Sequence, residues 1–174
     1  MKQSIDGASG CIVRPVEPED ALGIIRVLNP IVCAGCYTVL DRTFTEEEER
    51  EFIARFPKRG IFHVAVAPDG TVVGFQNVEP FASYTRAFDH VGVIGTYVSL
   101  EQRRRGIASQ LFRATIDAAL IKGYEKLFAF VRADNEAALA TYRGYGFDVI
   151  GTARRQAKLN GIYVDEVMIE KLLV

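Results

Sequence analysis

The chain has 174 residues, of which 49% are hydrophobic and 25% charged, and its formal net charge is −1. These values are typical of a soluble globular protein, and we expect a single domain over residues 1–174. The balanced charge gives no case for nucleic-acid or membrane-surface binding, and the chain has no run of about 18 apolar residues that would predict a membrane span.

Residues 1–10 are polar and lack the charged-then-apolar order of a secretion signal. We expect this segment to be flexible and the protein to be cytoplasmic. The chain has three cysteines, an odd number that does not indicate a secreted disulfide framework. Cys33 and Cys36 have redox or metal spacing, but with only His63 and His90 elsewhere the four ligands of a zinc site are not supplied. We interpret the cysteines as ordinary buried or half-buried side chains and expect no metal.

The N-terminal third predicts one strand and two helices. Residues 11–16 form a short apolar strand, and a helix begins at Pro18 with acidic residues in its first turn. We expect Pro30 to kink or end this helix. Its predicted buried face consists of Leu22, Ile25, Leu28 and Ile31.

A capping box, formed by Thr45 and Glu48, predicts the start of the second helix, which ends before Pro57. The acidic run at residues 46–49 complements the positive end of the helix dipole. We expect it to face water rather than to bind a metal.

The rest of the chain alternates strands with helices. Strands are predicted at residues 61–67, 71–79, 91–98, 126–131, 147–150 and 163–173, and helices at 107–119 and 135–142. A turn at residues 68–70 joins the first two of these strands as a hairpin. This order predicts an α/β fold in which a mixed sheet carries helices on both faces.

The most informative segment connects the 91–98 strand to the following helix. It is rich in arginine and contains a glycine at a helix start, where unpaired N–H groups and the helix dipole favour anions. Arginine side chains add charge-assisted contacts to phosphate oxygens. We therefore predict a phosphate-binding turn made of Arg103, Arg104, Arg105, Gly106, Ile107, Ala108 and Ser109.

A second motif lies about thirty residues further along the chain. Asn135 and Tyr142 are seven residues apart and share a helix face, with the small Ala138 between them. On its own this pattern fits a ligand-lined helix and a plain amphipathic helix equally well.

The two motifs together resemble the GNAT acetyltransferase superfamily over about residues 11–171. The resemblance implies a mixed, mostly antiparallel central sheet with strands that splay at an acetyl-CoA site, with acetyl-CoA as cosubstrate. It places the pyrophosphate at the arginine turn, and it places Asn135 and Tyr142 beside the pantetheine and the thiol. Backbone groups of Tyr97 and Val98 would hold the pantetheine and polarise the acetyl carbonyl. A homodimer is also implied.

The N-terminal half is similar to the phosphinothricin and methionine sulfoximine N-acetyltransferase branch, through residues 35–39, 43–46, 80–81 and 84–89. This similarity implies a small primary amine as acceptor, such as an amino acid or an analogue of one. That branch carries a glutamate five residues before the position of Val98, where this chain has Val93. Because this chain has valine where the branch has glutamate, the sequence does not determine which amine is the acceptor.

The reaction requires a proton donor for the thiolate, an oxyanion donor and a base for the amine. Tyr142 is the candidate donor, and the backbone N–H of Val98 is the candidate oxyanion donor. Glu79, His90 and an ordered water are alternative bases.

Two other functions remain open from the sequence. A peptide or protein amine acetyltransferase would use an open groove with an acidic lining, and a non-catalytic sensor would bind acyl-CoA without turnover. Three basic residues are candidates for receiving a substrate carboxylate, although surface solvation explains them more simply: Arg86, Arg154 and Lys158.

Overall fold

The computed structural model describes residues 10–174, so the expected flexibility of residues 1–9 lies outside the described residues. Over the described range the chain forms seven strands and four helices. The strands are β1 (Ile12–Pro15), β2 (Ile61–Val66), β3 (Val72–Pro80), β4 (Val91–Val98), β5 (Lys126–Arg132), β6 (Asp148–Leu159) and β7 (Ile162–Leu172). The helices are α1 (Ala21–Cys33), α2 (Glu46–Arg55), α3 (Ile107–Ile121) and α4 (Glu136–Gly144).

The strands form one sheet in the order β1-β2-β3-β4-β5-β7-β6. Every neighbouring pair is antiparallel except β4 with β5. Helix α1 packs on one face with Phe75, and α3 and α4 pack on the other face with Val78 and Ile94. The predicted mixed, mostly antiparallel sheet with helices on both faces is confirmed.

The parallel pair β4–β5 is short. Val91, Gly92 and Val93 pair with Lys126, Leu127 and Phe128, and the ladder ends there although both strands continue. The two strands therefore diverge, and an opening forms in the middle of the sheet.

Helix α1 differs from the prediction in two ways. It continues through Pro30 to Cys33. Because Arg26 and Pro30 are both exposed, the carbonyl that loses its helical hydrogen bond at the proline is accessible to water. The buried face also differs, since Leu22 is 38% exposed whereas Ala21, Ile24 and Val27 are buried with Leu28 and Ile31.

The capping box of α2 is confirmed: Thr45 N–H donates to Glu48 Oε2 at 2.8 Å, and Glu48 N–H donates to Thr45 Oγ1 at 3.2 Å. The prediction that the whole acidic run faces water was wrong for Glu49. Only 6% of Glu49 is exposed, and burial raises the pKa of its carboxyl from 4.5 to about 7.

The last hairpin is longer than predicted. Strand β6 extends from Asp148 to Leu159, whereas the sequence predicted a strand only to residue 150. A register shift between Ala153 and Ala157 interrupts the pleat, and Arg155 has φ 53. This bulge breaks the period-two pattern by which strands are predicted.

Cys33 and Cys36 are exposed, contrary to prediction, and Cys11 is half-buried. Cys33 and Cys36 are free thiols. Within residues 10–174, none of the helices combines the length and the apolar character that crossing a bilayer requires.

Candidate active site

A cleft of about 960 Å³ lies where β4 and β5 diverge. Its walls come from these strands, the arginine turn, the first turn of α3, helix α4 and the loop between α1 and α2. The phosphate motif and the Asn–Tyr motif, which are separate in the sequence, both line it. The volume is that of a site for a small molecule or a cofactor.

The arginine turn has an unusual backbone. Arg104 has φ 61 and Gly106 has φ 77, so two residues close together adopt the left-handed conformation. Gly106 is the N-cap of α3 and supplies no side-chain hydrogen bond to the helix. The first N–H groups of this 15-residue helix therefore stay available to an anion.

The side chains of the turn divide into two groups. Arg103, Arg104 and Ser109 line the cleft, whereas Arg105 is exposed and is not among the lining residues. Ile107 is only 2% exposed and packs into the core, so its contribution to an anion site is through its backbone. Four further candidate cofactor-binding residues also line the cleft: Tyr97, Val98, Gly106 and Ala108.

The backbone of β4 presents donors to the opening. In the β3–β4 ladder, Ser99 N–H donates to the Val73 carbonyl and Phe81 N–H donates to the Val91 carbonyl. Since hydrogen-bonded pairs alternate along an antiparallel ladder, the odd-numbered residues of β4 bond to β3. The N–H groups of Thr96 and Val98 therefore point toward β5, where the ladder has already ended.

Tyr142 lies beneath this part of β4. Its hydroxyl is 3.0 Å from Thr96 Oγ1, which also accepts a hydrogen bond from Gln76 Nε2 at 2.8 Å. The ring packs against Phe112 and Phe147. Burial raises the pKa of Tyr142, so the phenol keeps its proton over the whole physiological range.

Two hydrogen bonds link the side chains of Gln76, Thr96 and Tyr142 in a row. Gln76 can only donate through Nε2, so the Thr96 hydroxyl accepts that bond and is free to donate to Tyr142. Either hydroxyl can donate in the Thr96–Tyr142 bond, and where Thr96 donates, the Tyr142 proton is available to a third group in the cleft. The period-two pattern marks Gln76 and Thr96 only as interior strand positions, so it does not predict the hydrogen bond between their side chains.

Asn135 has a structural role in addition to lining the cleft. Its Oδ1 accepts from Ala138 N–H at 3.1 Å and caps α4, and its Nδ2 donates to the Tyr37 carbonyl at 3.2 Å. Both ends of the amide are occupied. Asn135 therefore ties the α1–α2 loop to the helix that carries Tyr142.

Arg132 holds the same loop from β5. Its NH1 group donates to the carbonyls of Gly35 at 2.9 Å and Thr38 at 3.2 Å. The Arg103 guanidinium lies 4.1 Å above the Tyr37 ring. The loop thus forms a fixed wall of the cleft. Arg132 is not predicted from the sequence, since nothing local to β5 distinguishes it from a surface arginine.

Of the two candidate bases, Glu79 and His90, only Glu79 lies at the cleft. Glu79 lines the cleft, and burial raises the pKa of its carboxyl. His90 is exposed and does not line the cleft, so the structure does not bring this candidate base to the site. Arg86, Arg154 and Lys158 also lie outside the lining.

The chain is similar to known N-acetyltransferases. It is 26% identical over 96% of its length to the phosphinothricin N-acetyltransferase of Streptomyces coelicolor, 99% of which is covered. It is 35% identical over 61% of its length to the L-amino acid N-acetyltransferase of Escherichia coli, 65% of which is covered.

The fold is also that of a solved phosphinothricin acetyltransferase from Sinorhizobium meliloti, which has acetyl-CoA bound. The TM-score is 0.84 at 19% identity, over 93% of this chain and 88% of that one. Residues 33–147, about two thirds of the chain and including both motifs, match the acetyltransferase (GNAT) family. The chain therefore belongs to the GNAT family of acetyltransferases.

Proposed function

We propose that the protein transfers the acetyl group of acetyl-CoA to a primary amine of a small molecule, within a ternary complex. One observation carries this proposal: the anion-binding turn, the free N–H groups of β4 and the Tyr142 hydroxyl all line one cleft. The similarity to a phosphinothricin N-acetyltransferase and to an L-amino acid N-acetyltransferase supports an amino acid or an analogue as acceptor.

Acetyl-CoA fits the cleft as an extended molecule. The turn at Arg103, Arg104 and Gly106 would hold its pyrophosphate through backbone N–H groups and guanidinium charge. The pantetheine would pass between β4 and β5, where backbone donors are unpaired. This arrangement would bring the thioester close to Tyr142.

Each residue then has one chemical task. The amine nitrogen forms a bond to the acetyl carbon while the carbon–sulfur bond breaks. Val98 N–H stabilises the developing oxyanion, and Tyr142 donates its proton to the departing sulfur. Glu79 accepts the proton that the amine loses, directly or through water, and its raised pKa suits that task.

The wall formed by the α1–α2 loop supports a small acceptor rather than a peptide. Arg132 and Asn135 fix this loop at three carbonyls, so it closes one side of the cleft. The acidic residues of α2 that would line a peptide groove do not line this cleft.

We also propose that the protein is a cytoplasmic homodimer. The two exposed free thiols, Cys33 and Cys36, suit a reducing compartment. The β6–β7 hairpin at the edge of the sheet exposes Val149, Ile150, Ile162 and Tyr163, which supports association through this edge. Light scattering coupled to size exclusion tests this proposal, and a monomer at micromolar concentration would refute the dimer.

The activity is tested by thiol release from acetyl-CoA with a panel of amines. The panel contains the amino acids, methionine sulfoximine, phosphinothricin, polyamines, an aminoglycoside and short peptides. We expect turnover with one class of small amines and none in the Arg104→Glu/Gly106→Glu double variant. Arg113→Glu, on the exposed side of α3, is the matched charge control. Turnover with peptides alone would contradict the proposal, and acetyl-CoA binding without turnover would favour a sensor.

A further inference from the structure

A glutamine lies in the apolar core under α3. Gln76 on β3 is fully buried, and the next residues on its face of the sheet, Val78 on β3 and Ile94 on β4, belong to the hydrophobic core. Gln76 does not line the cleft. An apolar side chain of similar size would fill this position without the cost of burying an amide. Packing alone therefore does not explain a glutamine here.

The Gln76 amide is directed at Thr96, its ladder partner on β4, whose Oγ1 accepts from Nε2 at 2.8 Å. Gln76 Oε1 is buried and has no hydrogen-bond partner in the part of the chain that the structure describes. His63 on β2 is the ladder partner on the other side, but its Nδ1 is bonded to Thr115 of α3 at 3.0 Å. The hydrogen bonds that lead to Tyr142 therefore begin at Gln76.

The orientation of the amide decides what it offers to Thr96. As observed, Nε2 donates and the Thr96 hydroxyl accepts. Turning the amide over would make Oε1 the acceptor, and it would place both Nε2 protons where Oε1 now has no partner. Among backbone groups, a buried N–H without a partner is rarer than a buried carbonyl oxygen without one. The buried surroundings thus favour donation from Gln76 to Thr96.

The Thr96 hydroxyl passes this direction on to Tyr142. An oxygen that already accepts a hydrogen bond becomes a better donor, because bonds in a chain polarise one another. Gln76 therefore favours the arrangement in which Thr96 donates to the Tyr142 oxygen, 3.0 Å away. Tyr142 then keeps its own proton for the cleft. The same bond stabilises negative charge on the phenol oxygen, since it lowers the Tyr142 pKa against the larger effect of burial.

We propose that Gln76 is a positioning residue for proton donation by Tyr142. It holds Thr96 as the donor to the phenol oxygen, so that the Tyr142 proton points at the sulfur of acetyl-CoA. When the carbon–sulfur bond breaks, its electron pair stays on sulfur, which takes this proton, and the phenol regains a proton from water after CoA leaves. The inference rests on the proposed function and adds to it a residue outside the cleft.

Gln76→Met removes the amide donor and keeps an unbranched side chain of similar length. Thiol release is measured with acetyl-CoA and the amine of the panel that reacts fastest. We expect kcat to fall by about threefold to tenfold, the value of one hydrogen bond, with the KM for acetyl-CoA unchanged. The melting temperature should not fall, because the variant also removes the unpaired Oε1. An unchanged kcat would overturn the inference.

Thr115→Val is the matched control. The Thr115 side chain is also fully buried under α3, but it is bonded to His63 and lies outside the cleft lining. Its replacement should leave kcat unchanged. An equal loss of kcat in Thr115→Val and Gln76→Met would show that the rate depends on polar groups anywhere in this core, and the specific role of Gln76 would be refuted.

The Tyr142→Phe background separates positioning from a general structural effect. If Gln76 acts through the Tyr142 hydroxyl, Gln76→Met should change kcat by less than about twofold in that background, because the group it positions is gone. A loss as large as in the parent enzyme would mean that Gln76 supports the site in another way, and the inference would be wrong.

The same assay distinguishes failure of the inference from failure of the proposed function. Absence of turnover with every amine of the panel would refute the proposed function, and the inference with it. Turnover that is slowed by Tyr142→Phe but not by Gln76→Met would refute the inference alone and leave the function standing.

Discussion

Glu79 on β3 lies directly opposite Val93 on β4. Residues opposed in an antiparallel ladder share a face and have Cα atoms about 5 Å apart. The resemblance to the phosphinothricin branch matches Val93 to a position where that branch carries a glutamate. The carboxylate missing from β4 is therefore matched by one on the neighbouring strand, on the same wall of the cleft.

Replacing Glu79 with Gln should lower kcat by about a hundredfold or more, as expected for loss of a general base. In the parent enzyme kcat/KM should rise with pH through the Glu79 pKa, which burial places above the usual carboxyl range. The variant should lose this limb of the pH profile. Steady-state kinetics over the pH range checks this, and an unchanged profile would eliminate Glu79 as the base.

A second substitution tests whether a carboxylate on β4 can replace the carboxylate of Glu79 on β3. Adding Val93→Glu to Glu79→Gln should restore part of kcat, because the new carboxylate lies across one ladder rung on the same face. Val93→Gln in the same background is the control. Equal rates in the two double variants would show that the position of the carboxylate is not what matters.

Tyr142→Phe should lower kcat by about tenfold to a hundredfold and leave the KM for acetyl-CoA nearly unchanged. The ring keeps its packing against Phe112 and Phe147, so only the proton donor is lost. Tyr124→Phe removes another buried hydroxyl, bonded to the Arg59 carbonyl, and controls for stability. If kcat is unaffected in Tyr142→Phe, the proton reaches the sulfur from another group.

Gly106→Ala should weaken acetyl-CoA binding by about tenfold or more and destabilise the fold by about 1 kcal/mol, since its φ of 77 disfavours a Cβ. Gly123→Ala at the other end of α3 has the same strain, with φ 78, and open space around the new methyl group. Thermal unfolding should shift alike in both variants, but calorimetric affinity for acetyl-CoA should fall only in Gly106→Ala. Equal affinities would remove the turn from the binding site.

Stability should decrease as pH rises from 5 to 8 because of Glu49. Its folded pKa of about 7 exceeds the ordinary 4.5, so the folded state binds the proton more tightly. The resulting stabilisation is present below 4.5, is lost progressively between 4.5 and 7, and its loss amounts to about 3 kcal/mol above 7. Glu49→Gln should flatten this dependence in urea unfolding, whereas Glu47→Gln, on an exposed carboxylate, should not.

The parts of the site that the sequence predicted are local in the chain. Strand, turn and helix follow one another around Arg104, and Asn135 and Tyr142 share one short helix, so local motifs together with the family resemblance predict them. Arg132 contacts Gly35 across 97 residues, and Gln76 reaches Thr96 across 20. These contacts depend on strand order and register, which no local pattern specifies. Most of β6 was not predicted because the bulge in this strand breaks the alternation of side chains on which strand prediction depends.

The opening between β4 and β5 joins the two faces of the sheet. Thr96 and Tyr142 lie on the α3 and α4 side, while Asn77 and Glu79 lie on the α1 side. This arrangement favours approach of the two substrates from opposite faces of the sheet. We therefore expect a sequential reaction in which either substrate can bind first.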